Sequence, residues 1–212
     1  MNDGREVLTH SSIRITDGDR VIYLDPFRVD REYGDATHVL ITHDHFDHFS
    51  PEDIGKVANR ETVLIVPETM RRKVRAVSGS VGDVVFVAPC RHYEAAGLAF
   101  DTVPSYNVGK PFHPKKAGWC GYVLSVSQGR VYVAGDTDSN EDVLSVKCDT
   151  ALVPAGGTYT MDAREAAEFV NSIGPSVAIP THYGTVAGKP GDGALFASLV
   201  REPVKAVLKI KF

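Results

Sequence analysis

The spacing of hydrophobic and polar positions changes character partway along the chain. Over the first half, apolar runs are short and of strand length. Val7 to Thr16 and Val21 to Leu24 mix apolar and polar positions, and Thr16-Asp17-Gly18-Asp19 between them carries the Asp-Gly pair of a tight hairpin. Val39 to Ile41 is a short run of buried-strand type, and Val63 to Val66 is another strand. Ser50-Pro51-Glu52-Asp53 has the form of a helix start, with Ser as N-cap, Pro at the first helical position and acids in the first turn. A helix is predicted over residues 68 to 77, then strands near Val84 to Val87 and Leu98 to Val103. Residues 104 to 118, rich in Pro, Gly, His and Lys, form a long loop, and loops of that length inside a compact domain are usually functional or disordered.

A hairpin follows, Gly121 to Val126 and Arg130 to Ala134 around Ser127-Gln128-Gly129. From there strands and helices alternate. Ala151 to Val153 is a strand, and residues 162 to 173 are a helix with Asp162 as N-cap, Glu165 completing a capping box, and Ala166, Phe169, Val170 and Ile173 on one face. Val177 to Ile179, a helix over 193 to 201 and a last strand Val204 to Ile210 complete the pattern. Strands that gather first and then interleave with helices predict an α/β fold, two sheets face to face with helices outside.

Composition narrows the function classes. The 212 residues, 43% hydrophobic and 24% charged, contain no linker-like tract and read as one domain, 1-212. A net charge of -4 gives no electrostatic footprint for nucleic acid. The one basic cluster, Arg71, Arg72, Lys73 and Arg75, reads as a solvated helix face. Residues 1 to 6 show no signal-peptide pattern, and no apolar stretch approaches the roughly 18 residues of a membrane span. Three widely spaced cysteines without a CxxC pair favour reduced thiols and a cytoplasmic setting.

The chemistry concentrates in "THDHFDHFS", residues 42 to 50, on the loop between a strand's end and a helix's start. Imidazole and carboxylate are natural ligands of a divalent transition metal. His43 and His45, two apart at a strand end, aim to one side of an extended backbone, while Asp47 and His48 follow a turn and aim at a second ion. A merely polar loop gains nothing from three clustered imidazoles, so the pattern points to metal binding.

This loop, His43-Asp44-His45-Phe46-Asp47-His48, resembles the His-x-His-x-Asp-His hallmark of the metallo-beta-lactamase fold. "THSSIRI" at 9 to 15, "YLDPF" at 23 to 27, "AGDTD" at 134 to 138, "VPAGGTYTMDAREAAEF" at 153 to 169 and "IPTHYGT" at 179 to 185 extend the resemblance over nearly the whole chain. Within that superfamily the chain looks most like the L-ascorbate-6-phosphate lactonases and related metal-dependent hydrolases.

The resemblance implies a four-layer αββα sandwich of two mixed sheets. It implies two divalent metal ions, Zn²⁺ foremost, with Mn²⁺ or Fe²⁺ as alternatives. His43 and His45 would bind the first, Asp47, His48 and His182 the second, and Asp136 would bridge them. The first metal's further His is replaced by Asn107 in Val103-Pro104-Ser105-Tyr106-Asn107. Either Asn107 lends its amide oxygen or His113, in "PFHPKK", reaches back from the long loop. His10 and Asp25 match positions close to the metals and are expected behind the ligands or beside the substrate. Tyr159, Tyr183 and Lys115 or Lys116 are expected to hold an anionic group, and His38 and His92 to be structural.

A metal pair about 3.5 to 4 Å apart supplies hydroxide near neutral pH, and Asp47 would hold the nucleophile and shuttle its proton. The expected function is hydrolysis of an ester, lactone or phosphoester bond in a small molecule. A phosphodiesterase or nuclease of the same fold, and a degenerate member that binds metal without turnover, are the alternatives. No nucleic-acid or membrane partner is expected, and a homo-oligomer is compatible with the sequence.

Overall fold

The computed structural model describes residues 4–212; residues 1–3 of the N-terminal stretch read above for a signal peptide lie outside them. Among the described residues the strands form two mixed sheets. The first runs β1 (Arg5–Thr9), β2 (Ser12–Asp17), β3 (Arg20–Leu24), β4 (His38–Leu40), β5 (Val63–Pro67) and β6 (Asp83–Val87) in chain order. Its early strands pair antiparallel, and β3 to β6 pair parallel. The second contains β7 (His92–Ala95), β8 (Leu98–Pro104), β9 (Cys120–Val126), β10 (Gly129–Val133), β11 (Thr150–Pro154), β12 (Val177–Thr181) and β13 (Lys205–Ala206), also side by side in chain order. It changes from antiparallel to parallel at β10. The helices are α1 (Pro51–Val57), α2 (Glu141–Leu144), α3 (Ala163–Ile173) and α4 (Asp192–Leu199).

Period-two alternation along the central strands builds the layers. Ile22, Leu24, Leu40 and Ile65 of the first sheet meet Phe100, Leu124, Leu152 and Ile179 of the second in one core. Their sequence neighbours point outward. Tyr23, Val39 and Leu64 pack with Ile54 and Val57 of α1, and Val123, Tyr132 and Val153 pack with Phe169, Val170 and Phe196 of α3 and α4. Each fully buried Leu or Ile contributes about 2 kcal/mol by leaving water. The sandwich is therefore held from both faces of each sheet, as the resemblance implied.

Both predicted helix starts form. Ser50 caps α1, accepting from the Asp53 N–H at 3.3 Å, with Pro51 leading the helix, and Asp162 and Glu165 make the reciprocal capping box of α3. Three segments depart from the expected pattern. Residues 68 to 77 form two 3₁₀ turns, Glu68–Met70 and Lys73–Ala76, instead of one helix. The run from Val7 to Thr16 is a hairpin that breaks at His10 (φ 52°), with Thr9 opposite Ser12. The last strand holds only Lys205 and Ala206. There the reason is in β12: the Val177 N–H turns towards β11, so the N–H groups facing β13 belong to even positions, and Pro180 has none to offer.

Candidate metal centre

Strands of both sheets place the chemistry at their C-terminal ends, where open α/β sheets generally present ligand sites. β3 ends at Asp25, β4 leads into the 42–50 loop, β8 into Ser105 to Asn107, β10 into Gly135-Asp136 and β12 into His182. The β1–β2 turn adds His10 from the side, its carbonyl accepting from the His182 N–H at 3.0 Å. Gly135 (φ +66°) is required where it stands, because a Cβ there would lie 2.9 Å from the Thr42 Cβ. That close approach brings Asp136 against the histidine loop.

Two groups of potential ligand atoms result. His43, His45, His113 and Asp136 form one, and His10, Asp47, His48 and His182 the other. Asp136 faces both: Oδ2 lies 3.3 Å from His113 Nε2 and 3.1 Å from His182 Nε2, and Oδ1 lies 3.3 Å from His48 Nε2. In the first group, His45 Nδ1 is 3.1 Å from His43 Nε2 and 3.2 Å from His113 Nε2. In the second, Asp47 Oδ2 is 3.1 Å from His10 Nε2 and 3.6 Å from His182 Nε2.

The protonation pattern follows from burial set against two central carboxylates. Burial, with the neighbouring His48, drives His43 well below the usual imidazole range. Burial lowers His10 to about 4 in spite of its contact with Asp47. At His48 and His182 burial also acts downward, but Asp136, with Asp25 at His48 and Asp47 at His182, outweighs it and raises both. Asp47 and Asp136 are held below the ordinary carboxylate range, since their histidine neighbours outweigh burial. Positive charge is what these carboxylates draw in.

The donor set suits divalent cations. His48 Nε2, His182 Nε2 and Asp136 Oδ1 are buried with no hydrogen-bond partner, a costly state unless another group satisfies them. Six imidazoles and two carboxylates converging from five segments are the nitrogen and oxygen ligands such ions take. Behind them, Asp25 accepts from the Thr42 N–H at 2.8 Å and hydroxyl at 2.6 Å and lies 2.7 Å from His48 Nδ1. A carboxylate behind a ligating imidazole fixes its ring and tautomer.

The remaining sequence-selected residues sort by location. His113 joins the first group, and Asn107 stands behind it, its Nδ2 3.2 Å from His113 Nδ1 and donating to the Tyr159 carbonyl at 2.6 Å. His10, expected behind the ligands or beside the substrate, lies in the second group with Nε2 3.1 Å from Asp47 Oδ2 and Nδ1 3.2 Å from the Thr185 hydroxyl. Tyr159 lines the cavity over the site, about 420 Å³ in volume. Tyr183 and Lys115 do not reach it. Tyr183 is buried in the core against Phe212, and Lys115 is drawn away by Asp142, 2.8 Å from its Nζ. His38 is buried and bonded to the Ala95 carbonyl, while His92 lies at the surface beside Asp101. Trp119, which the sequence reading passed over, packs 5.0 Å from both the His43 and the His45 rings; its only signal was being the chain's single tryptophan near the long loop.

A sandwich of this topology with a His/Asp centre at its strand ends defines a class, and residues 6–182 match the beta-lactamase superfamily domain. The chain is 31% identical to a UPF0173 metal-dependent hydrolase of Aeropyrum pernix over 92% of its own length and 88% of the relative's. It is also 31% identical to one of Symbiobacterium thermophilum over 92% and 90%. A solved structure from Parabacteroides distasonis superposes with a TM-score of 0.81 at 25% identity, covering 97% of this chain and 91% of that one. Igni18, a metallo hydrolase of Ignicoccus hospitalis, has the same fold at 20% identity, with a TM-score of 0.75 over 98% and 95% of the two chains. The chain belongs to the metallo-beta-lactamase superfamily and, within it, to the UPF0173 family of metal-dependent hydrolases.

Proposed function

We propose that the chain is a dinuclear hydrolase acting on an ester, lactone or phosphoester bond of a small molecule. The observation that carries this reading is Asp136, whose two oxygens face both groups of imidazoles at 3.1 to 3.3 Å. His43, His45 and His113 would hold one ion, Asp47, His48 and His182 the other, with Asp136 facing both groups and His10 bonded to Asp47 beside the second. Zn²⁺ suits an imidazole-rich set best, with Mn²⁺ and Fe²⁺ as alternatives. Two such ions lower the pKa of water towards neutrality and polarise the bond under attack.

The protein's own groups supply the rest. Asp47 lines the cavity, and its carboxylate is the acceptor placed to take the proton from attacking water and return it to the leaving oxygen. His10 steadies Asp47 through Nε2 while its Nδ1 contacts the Thr185 hydroxyl at 3.2 Å. The three unpaired thiols support work in a reducing cytoplasm. None of the described helices is long and apolar enough to cross a membrane.

The test is metal analysis of protein purified without chelator, combined with a panel of small esters, lactones and phosphodiesters. Two ions per chain and turnover that disappears in Asp47→Ala and His182→Ala are expected. No uptake of added Zn²⁺ or Mn²⁺ would refute the reading, and metal uptake without any turnover would show a binding protein instead.

A further inference from the structure

The opening over the centre is apolar, and its chemistry selects what reaches the metals. Asp47, Asp136, His45, His113 and His182 form the floor, while Phe46, Phe112, Tyr159 and Val186 make the walls. Phe46 is 68% exposed and Phe112 40%, and Phe112 meets the Tyr159 ring edge-on at 4.9 Å. Large aromatic side chains left in water beside a catalytic cavity gain free energy when an apolar ligand covers them.

No Lys or Arg is among the residues lining the cavity. Three cations on neighbouring loops are already engaged. Lys110 pairs with Asp138 and donates to the Thr160 carbonyl, Lys115 pairs with Asp142, and Lys73 pairs with Asp44. A carboxylate or phosphate carried away from the reacting bond would therefore lose its hydration against phenyl rings with no cation among the lining residues to receive it.

We infer that the substrate is an uncharged carboxylic ester or lactone whose acyl side is apolar, seated against Phe46, Phe112 and Tyr159. This rests on the hydrolase reading above and narrows it. The acyl C–O bond breaks, water supplies OH to the acyl carbon and H to the leaving alkoxide, and a carboxylic acid and an alcohol result. The floor handles the reacting carbonyl, and the walls recognise the rest of the acyl group.

The experiment uses the metal-loaded full chain and p-nitrophenyl esters from acetate to hexanoate, with the hemisuccinate as the anionic counterpart of the pentanoate. The expected kcat/KM rises about two- to fourfold per added methylene, and the pentanoate exceeds the hemisuccinate by about tenfold or more. Phe112→Ala and Phe46→Ala, both at exposed positions, flatten the chain-length dependence. A flat series, or preference for the hemisuccinate, overturns the substrate class while leaving the hydrolase reading intact. If no ester is cleaved, the hydrolase reading fails on esters, and calorimetric binding of N-phenylhexanamide against N-phenylsuccinamic acid decides the apolar site separately. Tighter binding of the neutral probe, weakened in Phe112→Ala, supports it; equal or weaker binding overturns it.

Discussion

The side-chain amide of Asn107 lies 3.2 Å from Nδ1 of His113, so the two residues that the sequence offered as alternatives for one ligand position are in contact with each other. The same amide donates to the Tyr159 carbonyl, and the Asn107 N–H donates to the His113 carbonyl at 2.8 Å. Asn107 thus ties the long loop to the 156–162 segment and sets where His113 Nε2 points.

On the dinuclear reading proposed above, His113→Ala should lose the ion of the first group. Asn107→Ala weakens the same ion by about 10- to 100-fold, as removal of a group behind a metal ligand typically does. Dialysis against a weak chelator followed by elemental analysis measures both. Equal retention of metal by Asn107→Ala and the parent would show that the Asn107–His113 contact is only structural.

Asp25 performs the corresponding task for the second group. Its carboxylate bridges Thr42 and His48 and is itself buried. Asp25→Ala leaves His48 free to turn and should lower affinity for the second ion about 10- to 100-fold, whereas the first ion stays bound. A competition titration with a chromogenic chelator resolves the two sites, and a loss confined to the first site would contradict the assignment.

The sequence disclosed the site in proportion to how local each part was. His43, His45, Asp47 and His48 share one loop, and their residue types alone announce a metal. Ser50-Pro51 and Asp162-Glu165 announce helix starts because a cap is made within three residues. His113 and Asn107 were legible only as alternatives, since choosing between them needs the path of a loop that folds back between β8 and β9. Lys115 and Tyr183 were misplaced for the same reason: Asp142 and Phe212, which hold them, are distant in sequence. The shortening of β13 was local but hidden, because Pro180 matters only through which neighbour its missing N–H would face.

Trp119 reports on the centre directly. Its ring lies 5.0 Å from His43 and 5.5 Å from His113, and no other tryptophan is present to mask its emission. Titrating metal-free protein with Co²⁺ should quench the fluorescence and saturate with occupation of the first site. Zn²⁺ should shift the emission without comparable quenching, and His43→Ala should remove the Co²⁺ response. An unchanged spectrum at saturating Co²⁺ would place the ion away from His43.

Gly135 couples fold to site. Gly135→Ala combines a left-handed backbone with a Cβ 2.9 Å from that of Thr42, and should cost about 1–3 kcal/mol. Urea denaturation of the metal-free protein measures it. Because Thr42 holds Asp25, the variant should also bind the second ion more weakly.

Asp53 gives the pH dependence that does not involve the metals. Its buried carboxylate accepts from the Arg28 and Val29 N–H groups at 2.9 Å each, from the Ser50 hydroxyl at 2.7 Å and from Lys56 Nζ at 3.1 Å. Burial alone would raise its pKa, but these donors outweigh it and hold the group below the usual carboxylate range. The unfolded chain then binds the proton more readily than the folded one. The stabilisation is fully present above the ordinary aspartate pKa of about 4 and is lost as pH falls through the lowered folded value. Asp53→Ala should therefore cost about 2–3 kcal/mol at pH 7, because α1 loses its tie to the 28–29 segment. The gap in Tm between parent and variant should narrow as the pH is taken from 7 down past the ordinary aspartate pKa of about 4, since the unfolded parent chain takes up the Asp53 proton before the folded one does and the advantage fades. Thermal melts of metal-free protein across that range check this, and a gap that stays constant or widens in acid would show that the Asp53 charge contributes nothing to stability.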